Sequence, residues 1–290
     1  QEAGRVNGFS PRSVLFVPGH RPDMLAKVVR SRPDAVIVDL EDAVAPSAKE
    51  EARATAMSAL AAERPGADRV LLRINGVGTP WYEADVAAAA GAIGATHQDG
   101  AAQLDGVVLP KYEHPGELAE LRAALPAGAL VIVGLESALG VADARPLLAE
   151  GPDAAYFGAE DFIADLGGRR TAGGTEVLYA RSQVCLAARL AGVAALDQVV
   201  AAVRDAEAFR RDAEQARELG YPGKICLHPI QVSIAHEVFT PSAAELDHAR
   251  AVLEAAESGV GLVNGQMVDA VHVTMARAVL ARTQPEPTDA

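Results

Sequence analysis

The chain is short of basic charge: 26 lysines and arginines against 39 aspartates and glutamates leave a formal net charge of −13. That deficit argues against a long phosphate backbone as partner, because nucleic-acid binding needs a basic surface. A small anion is still admissible where a local basic pocket receives it. Also missing is any apolar run approaching the roughly 20 residues that cross a bilayer, and the opening QEAGRVNG lacks the charged-then-apolar layout of a secretory signal. No membrane partner and a cytoplasmic location are therefore expected. The two cysteines, Cys185 and Cys226, have no Cys or His at metal-ligand spacing and read as core thiols. No GxSxG elbow supports a serine hydrolase. The histidines at 97, 114, 236, 248 and 272 show no HExxH-like pairing.

What is present is a repeating alternation of apolar, strand-like runs with helical ones, the pattern of parallel strands joined by helical crossovers. The strands read as 13–19, 35–42, 70–75, 106–111, 129–137, 154–162, a weak seventh at 194–200, and 223–229. Between them lie helical stretches at 47–63, 80–93, 114–124, 138–149, 175–191 and 206–219, with a further helix opened by Pro22 and Asp23. Eight β/α units in this length predict a TIM (β/α)8 barrel. The competing open sheet would carry GxGxxG after the first strand, where this chain has PGHRPD. Residues 1–235 are assigned to the barrel. A C-terminal helical arm of the same domain, 236–290, holds helices at 242–257 and 268–281 around the glycine-rich GVGLVNGQ. The arm is expected to cap the barrel or to pack on a neighbouring subunit, and the tail from Pro285 to fray.

Active sites of such barrels lie at the carboxyl ends of the strands. Those ends supply His20, Arg21, Asp39, Glu41, Asp42, Arg73, Asn75, Lys111, Glu136, Asp161 and His228. Five carboxylates facing the cations Arg21, Arg73 and Lys111 suggest a metal-and-anion site. Glu136 and Asp161, ending adjacent strands, fit one shared magnesium ion better than zinc, with water and substrate oxygens completing the shell. Either acid alone also fits a solvated or helix-capping carboxylate, and Glu160 competes with Asp161, since neighbours on a strand point to opposite sides. The Arg73 fork suits bidentate grip of a carboxylate or a carbonyl oxyanion, or a structural ion pair with Glu41 or Asp42. His228 reads as a general acid, a ligand or a polar anchor for its loop. The stretch GGRRTAGG, 167–174, reads as a lid, an anion-binding nest or a plain turn.

Taken together, FVPGHRPDML, VDLEDAV, RIN, LPK, GLESALG, FGAEDF with DLGG, and GKICLHPIQV resemble the citrate lyase β-subunit-like family within the HpcH/HpaI aldolase group, over about residues 12 to 283. The resemblance implies a magnesium-dependent carbon–carbon lyase, with manganese an alternative ion, acting on an acyl thioester of coenzyme A or of an acyl-carrier protein. It places the metal on Glu136 and Asp161 and a clamp on Arg73, with Glu41 and Asp42 beside it among the candidate catalytic residues. Phe16, Arg21 and Lys27 become coenzyme A contacts, the ring for adenine and the cations for phosphates. Asp269, in GQMVDAVH, becomes an acid or base contributed by an adjacent subunit, which implies a homo-oligomer, trimer or hexamer. Val271 stands where relatives often have proline, and His20 departs from the small or acidic residue common before the arginine. A malyl-CoA thioesterase, a free 2-oxo acid aldolase and a non-catalytic subunit are the alternatives.

Overall fold

Parallel strands covered on both faces need side chains that are apolar on both sides, and four- to six-residue runs of that kind set the frame. In this computed structural model, which describes residues 9–98, 100–257, 261–263 and 266–282, eight such strands close on themselves. They are β1 (Ser13–Pro18), β2 (Ala35–Asp39), β3 (Arg69–Arg73), β4 (Gly106–Leu109), β5 (Leu130–Leu135), β6 (Ala154–Phe157), β7 (Ala194–Asp197) and β8 (Gly223–Cys226). Each pairs in parallel with the next, and β8 returns to β1 through Ser13 opposite Lys224 and Val14 opposite Ile225. The expected TIM barrel is thus the observed fold.

Crossover helices follow the strands: α1 (Pro22–Leu25), α2 (Lys49–Ala62), α3 (Tyr82–Ile93), α4 (Pro115–Ala124), α5 (Ala138–Ala142), α6 (Ala144–Ala149), α7 (Ala159–Asp165), α8 (Thr175–Ala191), α9 (Ala206–Leu219) and α10 (Pro229–Phe239). In α2 the alanine-rich sequence favours helix, Glu50 and Glu51 lie in the first turn where the helix dipole welcomes acid, and Ala52, Ala56 and Leu60 form the buried stripe. The stretch expected as one helix over 138–149 is two, because the chain turns at Asp143.

The barrel interior is filled by alternate strand residues, among them Val14, Ile37, Leu71, Val108, Ile132, Tyr156, Leu196 and Ile225, with Phe16 packed against them. Their outward neighbours face the helices. On the weak seventh strand that outward position holds Asp197, fully buried and bonded through both oxygens to Arg181 of α8 (2.9 and 2.8 Å). Lys224 of β8 joins the same carboxylate and also Asp212 of α9. A buried charge is tolerated because it is paired, and the polar residue is why this strand reads poorly from sequence.

The chain divides after His236 into two compact units. In the second, α11 (Ala243–Glu257) and α12 (Ala270–Leu280) enclose a small core of Ala249, Val252, Val263, Val268 and Ala276. Between these helices runs an antiparallel hairpin of β9 (Gly261–Val263) and β10 (Gln266–Val268). The last helix, expected from 268, starts at Ala270, after β10 has ended at Val268. The tail from Pro285 lies outside the described residues. No helix among the described residues is long and apolar enough to cross a membrane.

Candidate active site

Strand periodicity sets the site. Side chains two apart share a face, so the interior positions Ile37, Leu71 and Ile132 are succeeded, one step toward the carboxyl end, by Asp39, Arg73 and Gly134, and then by Glu136. Register places Asp39 directly opposite Arg73. The guanidinium donates from Nε and Nη2 to the two oxygens of Asp39, each at 2.7 Å. Its Nη1 meets Glu41 at 2.8 Å and Asp42 at 3.5 Å. Arg73 is therefore a structural ion pair and a rim cation at once, but its main partner is Asp39, which the sequence reading listed at the rim without assigning it a task. The bidentate edge expected to grip substrate is occupied by Asp39. What faces outward is the remaining Nη hydrogens and a fixed charge.

Asp39 does more than hold the arginine. Its oxygens accept from the backbone N–H groups of Glu41 (2.8 Å) and Ala43 (3.2 Å), which turns the chain sharply at VDLED. Lys49, buried in the same wall, donates to the carbonyls of Leu40 and Glu41 (2.8 and 2.6 Å). Phe16 points inward: the guanidinium carbon of Arg73 lies 5.0 Å from its ring centroid and Tyr156 meets it edge-on at 6.4 Å. The ring face expected to stack on adenine is covered by a cation, so Phe16 supports Arg73.

On the opposite side of the mouth, Glu136 follows β5 and is 2 % exposed. Its Oε1 accepts from the backbone N–H of Lys111 (2.7 Å) and from the Tyr156 hydroxyl (2.9 Å). Among the described residues no hydrogen bond reaches its Oε2. Burial, reinforced by Glu41 and Asp161 and opposed by Arg73 and Lys111, pushes this carboxyl up to about 7. Two glycines make the room. A Cβ on Gly158 would run into Glu136 itself, and one on Gly134 would strike the Tyr156 hydroxyl and Glu136 Oε1.

Asp161 does not end a strand. β6 stops at Phe157, and Glu160 and Asp161 occupy the first turn of α7. Helical geometry separates these neighbours by about 100°: Glu160 turns to Arg170 (3.5 Å) and Asp161 to Lys111 (3.7 Å). Of the two acids it is Asp161 that turns toward the strand-end cluster, and burial raises its pKa. Arg170, in the glycine-rich 167–174 stretch, also donates to Gln198 (3.0 Å), so that stretch is tied to β7 on one side and to α7 on the other.

Other expected members in the first unit do not join this cluster. Arg21 and Lys27 are about half exposed on and beyond α1, where both pair with Asp23 (2.8 and 3.4 Å). The third cation of the carboxylate cluster is Lys49 in place of Arg21. Asn75 spends its backbone and side-chain N–H groups on buried Asp85 (2.9 and 2.6 Å). His20 is exposed, and His228 accepts through Nδ1 from the N–H of Ile230 (3.2 Å), which makes it an anchor for its loop. Asp269 caps α12 in the second unit, accepting from Val271 and His272 N–H (2.9 and 3.2 Å) with the His272 ring at 2.7 Å. The Val271 N–H used here is one that a proline at this position would lack. Tyr156 was missed altogether, because a tyrosine inside an apolar strand reads as core.

The donor set suits a hard divalent ion. When all are ionised, Asp39, Glu41, Asp42, Glu136 and Asp161 carry five negative charges against three positive ones on Arg73, Lys111 and Lys49, an excess of negative charge. The donors are all oxygen, and Glu136 Oε2, on a desolvated carboxyl, accepts no hydrogen bond among the described residues. That fits. Among the described residues no group of three or more His, Cys, Asp or Glu side chains is placed to hold a metal ion, so an ion here would draw further ligands from water or substrate, as magnesium does.

A parallel barrel with a carboxylate-rich mouth at its carboxyl end belongs to the barrel enzymes whose chemistry is set by strand-end residues. The HpcH/HpaI aldolase/citrate lyase family model matches residues 12–229, and the chain belongs to that family. It is 46 % identical over 285 residues to a citrate lyase subunit beta-like protein of Deinococcus radiodurans, covering 93 % of this chain and 96 % of that one. A (3S)-malyl-CoA thioesterase of Cereibacter sphaeroides is 34 % identical over 280 residues, 94 % of each chain. Among solved structures, CitE from Mycobacterium tuberculosis in complex with magnesium, acetoacetate and coenzyme A superimposes with a TM-score of 0.78 at 34 % identity, over 95 % of this chain and 98 % of that one.

Proposed function

We propose that this protein is a magnesium-dependent carbon–carbon lyase that cleaves, or in reverse forms, a 3-hydroxyacyl thioester bearing a carboxylate next to the hydroxyl, of the malyl, citramalyl or citryl kind. The observation that carries this reading is the desolvated Glu136 carboxylate, with one oxygen free of hydrogen bonds among the described residues, in an acidic mouth that also holds Asp161. The complex of the CitE neighbour with magnesium and coenzyme A supports it. Glu136 and Asp161 hold the ion, which when bound supplies Lewis acidity toward the hydroxyl and carboxylate oxygens of the substrate. Arg73, fixed by Asp39 and backed by Phe16, presents a positive field to the charge that develops on scission, an interaction worth about 3 kcal/mol for one well-placed donor. Glu41 keeps Arg73 and Lys111 in position, and the half-exposed Asp42 is the carboxylate of that pair open to solvent.

The substrate hydroxyl releases its proton to solvent, and the bond between the carbinol carbon and the carbon beside the thioester carbonyl breaks, leaving its electron pair on the latter. A 2-oxo acid leaves, and Asp269, which takes its proton from solvent, protonates that carbon beside the thioester carbonyl. We place Asp269 in the site of an adjacent copy, in a trimer or hexamer, with Arg21 and Lys27 meeting the phosphates of coenzyme A and Phe16 forming a wall toward its thioester end. An acyl-carrier protein is the other source of the thioester.

The test is a screen of hydroxyacyl thioesters with magnesium, following products by mass: a free 2-oxo acid with acetyl-CoA identifies the lyase. The identity to malyl-CoA thioesterases favours a second reading, and free CoA with malate identifies it. Full turnover in excess EDTA refutes both. Asp269→Asn should abolish deuterium exchange into acetyl-CoA, and unchanged exchange removes Asp269 from the mechanism.

A further inference from the structure

Lys111 has no task in the chemistry above. It follows β4 in the left-handed backbone region, at φ +51°, which a residue with a side chain seldom adopts. Glycine would take up this backbone at lower cost, so the interactions of the lysine have to offset the difference. The turn aims the Lys111 N–H at Glu136 Oε1, 2.7 Å away. It also sends the ammonium across the mouth to Glu41 at 2.5 Å, Asp161 at 3.7 Å and Asp42 at 3.8 Å. One residue thus holds both carboxylates of the proposed metal site, one through its backbone and the other through its side-chain charge.

We propose that Lys111 is a resident counter-cation that competes with the divalent ion for Asp161 and so sets the affinity of the site, an inference that rests on the metal site proposed above. While the ammonium neutralises Asp161 and Glu41, the acidic mouth is stable without metal. A divalent ion bound between Glu136 and Asp161 repels the ammonium, which keeps Glu41 and moves toward Asp42. The Lys111 and Asp42 side chains are 43 % and 51 % exposed, so this movement needs no repacking. Lys111 then stands at the mouth as a mobile cation beside the fixed one on Arg73. The backbone bond to Glu136 is independent of the side chain and stays in place throughout.

Lys111→Met tests this in the full chain, with magnesium chloride titrated calorimetrically and melting followed with and without EDTA. Removing one positive charge about 4 Å from a ligand of a divalent ion should tighten magnesium binding by roughly tenfold. The variant should melt below wild type in EDTA and recover the difference when magnesium is added. Lys111→Arg, which keeps the charge, should bind magnesium within a few-fold of wild type. Lys111→Gln gives the same readout should the methionine variant fail to fold. Magnesium binding that is unchanged or weaker in both neutral variants, against a wild type that binds, overturns the role of Lys111 and leaves the metal site standing. A wild type that binds no magnesium overturns the metal site itself.

Discussion

Glu136→Gln is the perturbation whose outcome the structure fixes most tightly. The amide oxygen can still accept from the Lys111 N–H and the Tyr156 hydroxyl, so the two hydrogen bonds on Oε1 survive; what disappears is the ionisable group. Moved by burial from its ordinary 4.5 to about 7, the carboxyl costs on the order of 3 kcal/mol once ionised, at about 1.4 kcal/mol per pH unit. The sign follows from proton counting. Between pH 4.5 and 7 the folded state holds a proton that the unfolded state has released, so metal-free stability falls as pH rises through that window and is level above it. Thermal melts in EDTA at pH 5 and pH 8 should therefore show wild type losing stability relative to Glu136→Gln. The two should lie close at pH 5, with the variant ahead by roughly 6 °C at pH 8, at about 2 °C per kcal/mol for a domain of this size. Glu41 and Asp161 titrate in the same direction but are present in both proteins, so the comparison isolates Glu136. Magnesium should close the gap by raising the melting point of wild type alone. A variant that is less stable at pH 8, or a gap that does not change between the two pH values, would refute the assignment of a desolvated carboxylate at this position.

The same geometry predicts three further results. Gly158→Ala should cost about 1 to 3 kcal/mol by overpacking and weaken magnesium binding, because the added carbon meets Glu136; wild-type affinity measured calorimetrically would show that the site accommodates the methyl. Tyr156→Phe removes one donor to a buried carboxylate and should cost about 1 to 3 kcal/mol by denaturant melts at pH 8, with little loss at pH 5, where the acid is neutral. Arg73→Met leaves Asp39 buried without its partner and should cost about 3 to 5 kcal/mol, part of which Asp39→Asn should restore in the double variant. A purely additive double variant would mean that the two residues are not coupled.

The barrel was readable because a strand buried on both faces has to be apolar nearly throughout, and six of its strands meet that condition between their end residues, while β8 carries the buried Lys224. β7 did so weakly, since Asp197 and its partners Arg181 and Lys224 come together only in three dimensions. The candidate site was readable as a set of strand-end residues but not as a set of bonds. Asp39 and Arg73 each end an apolar run, and had the two runs been aligned at matching positions, the register that joins them would have assigned the bidentate edge to Asp39. The error at Asp161 has a different cause: FGAEDF continues the apolar pattern of β6 past Gly158, although the backbone has already turned into α7. Arg21 was counted with the carboxylates because it follows β1 closely, whereas the chain leaves the barrel there and Asp23 neutralises it locally.

The two sides of the mouth differ in what they still need. Around β2 and β3, Asp39, Glu41, Arg73 and Lys49 satisfy one another, with both Asp39 oxygens and all three guanidinium nitrogens engaged. Around β5 and α7, among the described residues, Glu136 keeps an oxygen without a donor and Asp161 faces the Lys111 ammonium at 3.7 Å, so the charge surplus gathers on that side. On the proposed metal site, a cation arriving from solvent would be drawn to Glu136 and Asp161 and not to Asp39, although Asp39 is also a buried carboxylate. The glycines at 134 and 158 leave space around Glu136, which such an ion would need and an already paired carboxylate would not. The prewired side would then hold Arg73 still while its neighbour exchanged ligands, a division of labour that neither side could supply alone.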